Sequence, residues 1–407
     1  MSPFGLAFLV GVQGVVLATL AARLVGGRTR RPPERPMRDG IARLRSGETA
    51  NGAFAADASA ADTPTADAPG LTVVVACLNE VERIGPCLRG LRAQGAPVRE
   101  ILIVDSGSTD GTRALVEQAA AEDPRIRLVT DPPLPQGWIG KAWALQHGTT
   151  IATQPWVLGM DADTEAEPGC AAAVLASALR EGFDVVSFAP CFDGQTAGER
   201  WVQPALLVSL LYRTGAAGDP RVRPDRILAN GQCFLVRREV LLAHGGYEPV
   251  KASFAEDVSL VRHLAGRGVP VGFLDGSRLY RVRSYRDVGQ MWREWGRSID
   301  LKDAVSSLRR WSDALLIALA QGAQLPLLIW LALAWPTIPA GPTRSALLGL
   351  TLGLLGMRLG LLVALRGNYA KRGLAWWLSP LADPLAAVRI VWSSVRRPRR
   401  WRSRNYG

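Results

Sequence analysis

The sequence predicts an α/β domain built on a mainly parallel sheet, with apolar helices at both ends of the chain. Three observations predict it. Apolar runs of strand length alternate with helical patterns across residues 71–285. Three of those runs end in acidic loops, at Glu80, at Asp105 and at the pair Asp161/Asp163. Uncharged stretches long enough to cross a bilayer lie on either side of that region.

The amino-terminal element is Phe4 to Ala22, 19 residues without a charge, about 28 Å as a helix. Arg23, Arg28, Arg30, Arg31, Arg35, Arg38, Arg43 and Arg45 follow it and no basic residue precedes it. That order is the reverse of a secretory leader and fits an uncleaved anchor, residues 1–25, with the rest of the chain cytoplasmic. Residues 26–70 begin basic, and 46–70, rich in Ala, Asp, Thr and Pro, read as a flexible linker.

Within 71–300 the strands expected are Leu71–Cys77, Glu100–Val104, Ile126–Thr130, Trp156–Met160, Asp184–Ala189 and Cys233–Val236. Helices follow the first strand to about Gln94 and the second from Arg113 to Glu122. In a parallel sheet the carboxyl ends of the strands share one edge, where open α/β sheets bind ligands, so the three acidic ends would line one crevice. Asp161-Ala162-Asp163-Thr164 is compatible with plain turn chemistry and with a hard divalent cation holding a diphosphate, since Mg²⁺ takes only one or two protein oxygens. The loop Ser106-Gly107-Ser108-Thr109-Asp110-Gly111-Thr112 is a good turn followed by a helix start, with Asp110 or Thr112 capping. Asp105, at the end of a buried strand, is better placed to accept hydrogen bonds from a ligand ring. Glu256-Asp257 opens a helix, which suits the helix dipole or a general base.

Residues 301–407 hold two further spans, 314–335 and 345–365, the second interrupted by Arg358, which could snorkel. Residues 374–395 read as an interfacial or re-entrant helix with Trp376, Trp377 and Trp392 near the headgroups, ahead of a basic tail. Trp201–Tyr212 could line a path for a lipid or be a plain buried helix. Arg281 to Arg297, with Trp292, Arg293 and Trp295, could be an amphipathic interfacial stretch or bind a diphosphate and a sugar.

Composition agrees. The 407 residues are 48% hydrophobic, in blocks, and the net charge is +12 with a pI near 10.1. Basic residues clustered beside apolar segments point to an anionic membrane surface and away from nucleic acid. Five scattered cysteines without metal-type spacing fit core packing in a reducing compartment.

Taken in order, Asn79-Glu80, Val104-Asp105-Ser106-Gly107-Ser108-Thr109-Asp110-Gly111-Thr112, Asp161-Ala162-Asp163 and Glu256-Asp257 resemble the motifs of family 2 glycosyltransferases of the GT-A fold. That resemblance implies a nucleotide-sugar-binding domain whose Asp105 contacts the uracil of a nucleoside-diphosphate sugar. It implies a divalent metal, Mg²⁺ or Mn²⁺, at Asp163 with Asp161, and Asp257 as the catalytic base. Asn79, Glu80, Lys141, Arg293 and Trp295 join Asp105 and Asp161 as expected donor contacts, with Lys141 or Arg293 helping to neutralise the departing diphosphate. The stretch Pro132-Pro133-Leu134-Pro135-Gln136-Gly137-Trp138-Ile139-Gly140-Lys141-Ala142-Trp143-Ala144, with Asn230-Gly231-Gln232 and Arg283-Ser284-Tyr285, resembles membrane-anchored transferases of carotenoid and hopanoid pathways, including carotenoid 2′-O-glycosyltransferases. Processive synthases of the family carry Gln-x-x-Arg-Trp, whereas here Glu294 separates Arg293 from Trp295. The expectation is an inverting hexosyltransferase of a bacterial-type inner membrane, multi-pass, with its catalytic domain cytoplasmic and a lipid-soluble acceptor, first a carotenoid. Hopanoid, glycerolipid, polyprenyl phosphate and exopolysaccharide are the alternative acceptors, and a non-catalytic scaffold with a nucleotide-sugar cleft is the alternative class.

Overall fold

A computed structural model describes residues 2–38, 69–220, 222–295, 299, 301–395, 400–401 and 404–405. Most of the expected linker 46–70 and of the basic tail lies outside the described residues. The chain forms two compact units. One comprises residues 31–193, 223–284 and 400–407, and the other 1–30, 194–222 and 285–399. Residues 194–222 therefore interrupt the stretch 71–300 expected to form one continuous domain.

The first unit is the α/β domain. Its main sheet uses β1 (Leu71–Cys77), β2 (Val98–Asp105), β3 (Ile126–Thr130), β4 (Trp156–Asp161), β6 (Val185–Ala189), β8 (Phe234–Arg237) and β9 (Val271–Asp275), in the order β3-β2-β1-β4-β8-β6-β9. Short strands β5 (Thr164–Ala166), β7 (Cys191–Phe192) and β10 (Tyr280–Val282) form a second sheet, order β5-β10-β7. Strand β1 is buried at nearly every position, because a parallel core strand is covered on both faces and gains nothing from alternation. The cysteines are all free and buried.

Register brings the acidic strand ends together. Asp105 ends β2 opposite Cys77, and Asp161 ends β4 opposite Ala76 on the other side of β1. Strand β8 runs antiparallel to both β4 and β6, with Gly159 opposite Phe234. Its leading loop, Asn230-Gly231-Gln232, thus arrives at the edge where β1, β2 and β4 end. The sheet is mixed, and this one reversed strand matters more to the site than the parallel majority.

The second unit is helical. Two helices, Pro3–Thr29 and Pro342–Asn368 with their 3₁₀ extensions, are long and apolar enough to cross a membrane. The expected span 314–335 is instead a pair, Ser307–Gly322 and Gln324–Thr337, bent by 43°. A π-helical turn, Ala318–Gly322, precedes the break, a frequent cause of kinks. Residues 374–395 are broken further, into Gly373–Trp377, Ser379–Ala382 and Asp383–Val395.

Two expectations are corrected here. Arg358 does not snorkel: it is 2% exposed, its Nε donates to both Asp383 carboxylate oxygens at 3.1 and 2.8 Å, and its Nη2 donates to Ser379 Oγ at 3.1 Å. A partner that removes the cost of burying a lone charge outweighs the gain from reaching water. Trp376 is fully buried, packed edge-on against Tyr369 and Trp377, so its ring faces protein and is not exposed to headgroups. For Trp201–Tyr212 the buried helix is what is observed. Ala197–Thr214 is closed by a capping box of Thr196 and Glu199, and Tyr212 is fully buried.

Candidate active site

The loops after β1 and β2 are stitched together by local chemistry. Asn79, in the left-handed region at φ 55°, accepts from Thr109 N through its side chain at 2.9 Å and donates its own N–H to Ser108 Oγ at 2.8 Å. Glu80 N donates to Thr112 Oγ1 at 2.8 Å and Val81 N to Asp110 at 3.1 Å. Asp110 also accepts from Thr112 N, so it serves both as a turn former and as a clamp between loops. The Glu80 carboxylate is buried beside Arg83 at 2.7 Å, and Arg83 Nη1 donates to the Ser284 carbonyl at 2.9 Å.

Asp105 is fully buried and is held by the chain itself. It accepts from Ser108 N, from Gly107 N, from the Ser108 hydroxyl and from Arg113 Nη1 at 2.8 Å. Burial pushes its acidity down, but Ser108 and then Arg113 outweigh that and hold its pKa below the usual aspartate value. Asp105 therefore organises its own turn, a role that sequence reading gave only to its neighbours. The missing signal was Arg113, in the first turn of the next helix.

Lys141 sits at the start of the helix Gly140–Ile151. Its Nζ lies 2.8 Å from Asp161 and 2.9 Å from Glu256, with the side chain only 17% exposed. Burial alone would lower its pKa. Asp161 and then Glu256 and Asp257 more than reverse this, so the ammonium titrates well above the ordinary lysine range. In this arrangement Lys141 neutralises carboxylates of its own chain.

Asp257 stands at the amino end of the helix Glu256–Ala265. One carboxylate oxygen accepts from Gly231 N at 2.7 Å and the other from Val258 N at 2.8 Å. Burial, then the charge of Glu256, push its pKa up to about 7, against Lys141 and the two N–H groups. Gly231 sits close to both groups: a Cβ there would lie 3.0 Å from Lys141 Nζ, which would have to shift slightly, and at ordinary contact distance, 3.6 Å, from Asp257. Sequence reading noted Asn230-Gly231-Gln232 without giving the loop a role, because only the reversed direction of β8 brings it here.

Asp163 is half-buried. Its carbonyl accepts from Arg283 N at 3.2 Å, and Gln232 Nε2 lies 3.5 Å from its carboxylate and 3.1 Å from Ser284 Oγ. Among the described residues no group of three or more Asp, Glu, His or Cys side chains could hold a metal. Asp161 faces Lys141, and Asp163 is the second carboxylate at this strand end. That donor set fits a Mg²⁺- or Mn²⁺-sized ion carried largely by phosphate oxygens and water, and does not fit a resident structural metal. Asn79, Glu80, Asp105, Lys141, Asp161, Asp163 and Asp257 all belong to the α/β unit. Arg293 and Trp295, at the end of the helix Val288–Glu294, belong to the helical unit.

Residues 72–245 match the model of the Glycosyl transferase family 2 domain. The succinoglycan biosynthesis protein ExoA of Rhizobium meliloti is 26% identical over 68% of this chain and 83% of its own length. A family 2 glycosyltransferase domain thus occupies residues 72–245. This enzyme is also 39% identical to the lipopolysaccharide core biosynthesis glycosyltransferase LpsC of R. meliloti, over 23% of the chain and only 31% of LpsC. Among solved structures, it is similar to the mannosyltransferase PcManGT of Pyrobaculum calidifontis in complex with GDP-Man and Mn²⁺. There the TM-score is 0.47 at 17% identity, over 93% of this chain and 99% of that one. The family match sets the non-catalytic scaffold aside. Asp257 lies beyond the residues that match the family model, so its place in the transferase rests on the geometry above.

Proposed function

We propose that the enzyme transfers a hexose from a nucleoside diphosphate sugar, UDP-linked, to a hydroxyl of a membrane-held acceptor, inverting the anomeric carbon. The observation that carries this reading is Asp257. It is a carboxylate fixed by two backbone N–H groups, with a pKa pushed up to about 7, at the sheet edge where Asp161 and Asp163 stand. A base with that pKa is ionised in about half the molecules at neutral pH and is strong enough to accept a hydroxyl proton as the bond forms.

Inversion needs one base on the face opposite the leaving group, as in the base half of an inverting glycosidase. Asp257 takes the acceptor proton. Lys141 holds Glu256 and Asp161, so that their charges do not drive the Asp257 pKa higher still. Asp105, Asn79 and the two stitched loops give the nucleobase a rigid wall, and Gln232 orients Asp163. A divalent cation held by Asp163 and the donor's diphosphate would supply neutralisation of the charge left on the nucleotide.

The relatives ExoA and LpsC are named for polysaccharide and lipopolysaccharide synthesis, which supports a lipid-linked saccharide as acceptor. The stretch Pro132–Ala144 supports a second reading, a carotenoid or hopanoid alcohol. Two helices able to cross a membrane support placement at a bacterial inner membrane with the α/β unit cytoplasmic. Incubating the purified full-length enzyme with UDP-[13C]glucose, Mn²⁺ and total membrane lipid, then reading products by mass spectrometry and anomeric NMR, tests the proposal. An α-linked donor must give a β-linked product. A product of retained configuration sinks the single-base mechanism.

A further inference from the structure

We propose that Gln146 is a positioning residue for the transfer. It bolts the loop 244–255 to the helix that carries Lys141, and so fixes the Tyr247 side of the cavity that Asp257 lines. The inference rests on the reading of Asp257 as the base, and it names what holds that base in its environment.

Gln146 lies in the helix Gly140–Ile151, and its Oε1 accepts from Tyr247 N at 2.7 Å. Only the oxygen of the amide can meet a backbone N–H, so its orientation follows from this bond, and Nε2 is left facing Thr150 Oγ1 at 3.4 Å. Gly246, one residue before Tyr247, has φ 62°. A Cβ there would also fall 2.2 Å from Gln146 Oε1, so a side chain at this position would drive the amide off Tyr247 N. Loop and helix are joined a second time where Ile139, at the cap of that helix, donates its N–H to the Lys251 carbonyl at 2.7 Å.

At its far end the loop is tied to the helix of the base. The buried hydroxyls of Ser253 and Ser259 share a hydrogen bond at 2.8 Å, and Ala255 N donates to Ser253 Oγ at 3.1 Å. Ser259 follows Asp257 by two residues on the helix Glu256–Ala265. Lys141 closes the circuit through Glu256 at 2.9 Å. The helix of Lys141, the loop and the helix of Asp257 are thus held as one body, with Gln146 as the bolt nearest Tyr247.

Tyr247 is 5% exposed and shares a cavity of about 10 Å³ with Glu256, Asp257, Leu145 and Leu260, at the lower limit of what one water occupies. Such dryness is what a raised carboxylate pKa requires, and burial is the first cause of the shift at Asp257. The charged and titratable groups around Asp257 are Glu256 on its own helix, Lys141 from the neighbouring helix, Asp161 beyond Lys141, and the Tyr247 phenol from the loop. Releasing Tyr247 N lets that wall withdraw and gives water access to Asp257, which makes it a weaker base. Gln146 therefore acts on the reaction through Tyr247 and touches neither donor nor acceptor.

The test compares full-length Gln146→Met, Gln146→Glu and Tyr247→Leu in detergent, with labelled UDP-glucose, Mn²⁺ and total membrane lipid. Gln146→Met keeps the length of the side chain and loses the acceptor. Its kcat should fall about three- to tenfold, and the acid limb of its rate profile should move to lower pH by about half a unit or more, opposite in direction to the removal of Lys141. A loss of folded enzyme lowers the rate at every pH and leaves the limb in place, so the limb separates the two. Gln146→Glu restores an acceptor, and its negative charge cannot lower the Asp257 pKa, so it should recover most of the rate with no downward shift. Tyr247→Leu should move the limb the same way as Gln146→Met, and the two changes together no further than Tyr247→Leu alone. An unmoved or rising limb in Gln146→Met overturns the proposal, as does Gln146→Glu falling as far as Gln146→Met. Turnover by Asp257→Asn overturns both the clamp and the base reading. An inactive Asp257→Asn beside an unmoved limb in Gln146→Met leaves the base standing and removes the clamp alone.

Discussion

Replacing Asp257 by Asn leaves a group of the same shape that cannot take a proton. The carboxyl is pushed from an ordinary 3.8 to about 7, a rise of roughly three units. At about 1.4 kcal/mol per unit this is about 4 kcal/mol, and partial exposure reduces it to about 2 kcal/mol. The sign follows from proton uptake. Between pH 4 and 7 the folded state binds the proton that the unfolded state has already lost, so this group makes stability fall as pH rises. The parent enzyme should therefore lose about 2 kcal/mol from this group between pH 4 and pH 8, and Asp257→Asn should remove that slope. Activity should move the other way. Transfer by the parent should fall below about pH 7 as the base protonates, and Asp257→Asn should lose a factor of about 10² to 10⁴ in kcat. Thermal melting across pH in detergent, beside initial rates with labelled UDP-hexose and calorimetric UDP binding, reads all three quantities. Turnover by Asp257→Asn within tenfold of the parent, with UDP binding intact, would refute the assignment.

Lys141→Met removes the cation that restrains Asp257, so the acid limb of the rate profile should shift to higher pH by about half a unit or more; an unmoved limb rules out the coupling. Asp163→Ala should weaken UDP binding by about tenfold with Mn²⁺ present and hardly at all in chelator, as measured by calorimetry. Arg358→Met strands Asp383 in an apolar interior and should cost about 3–5 kcal/mol, while the pair Arg358→Met with Asp383→Leu should regain most of it; melting temperatures of the single and double variants decide.

Much of this protein was legible in the linear chain because its signals are local. No knowledge of packing is needed to see that Leu71–Cys77 is a strand: a short apolar run bounded by turn residues has few other options. The apolar run Phe4–Ala22 likewise declares a long helix by composition alone, and it falls within the helix Pro3–Leu24. The acidic strand ends at Asp105 and Asp161 are chemistry at a fixed place on a parallel sheet, so their convergence follows once the strands are identified.

What the chain could not announce depends on direction and on partners distant in sequence. Strand β8 reads the same in either orientation, yet its antiparallel run is what carries Gly231 to Asp257. That Lys141 would pair with Asp161 and Glu256, one on a strand end and one on a helix start, could not be read from the chain either. Arg358 looked like a snorkelling side chain until Asp383 met it inside the helical unit. Periodicity and composition determine which segments become strands and helices, since those preferences act over a few residues. Charge pairing and pKa arise only when packing sets side chains from separate segments within a few ångströms of one another, and that is where tertiary structure alone decides.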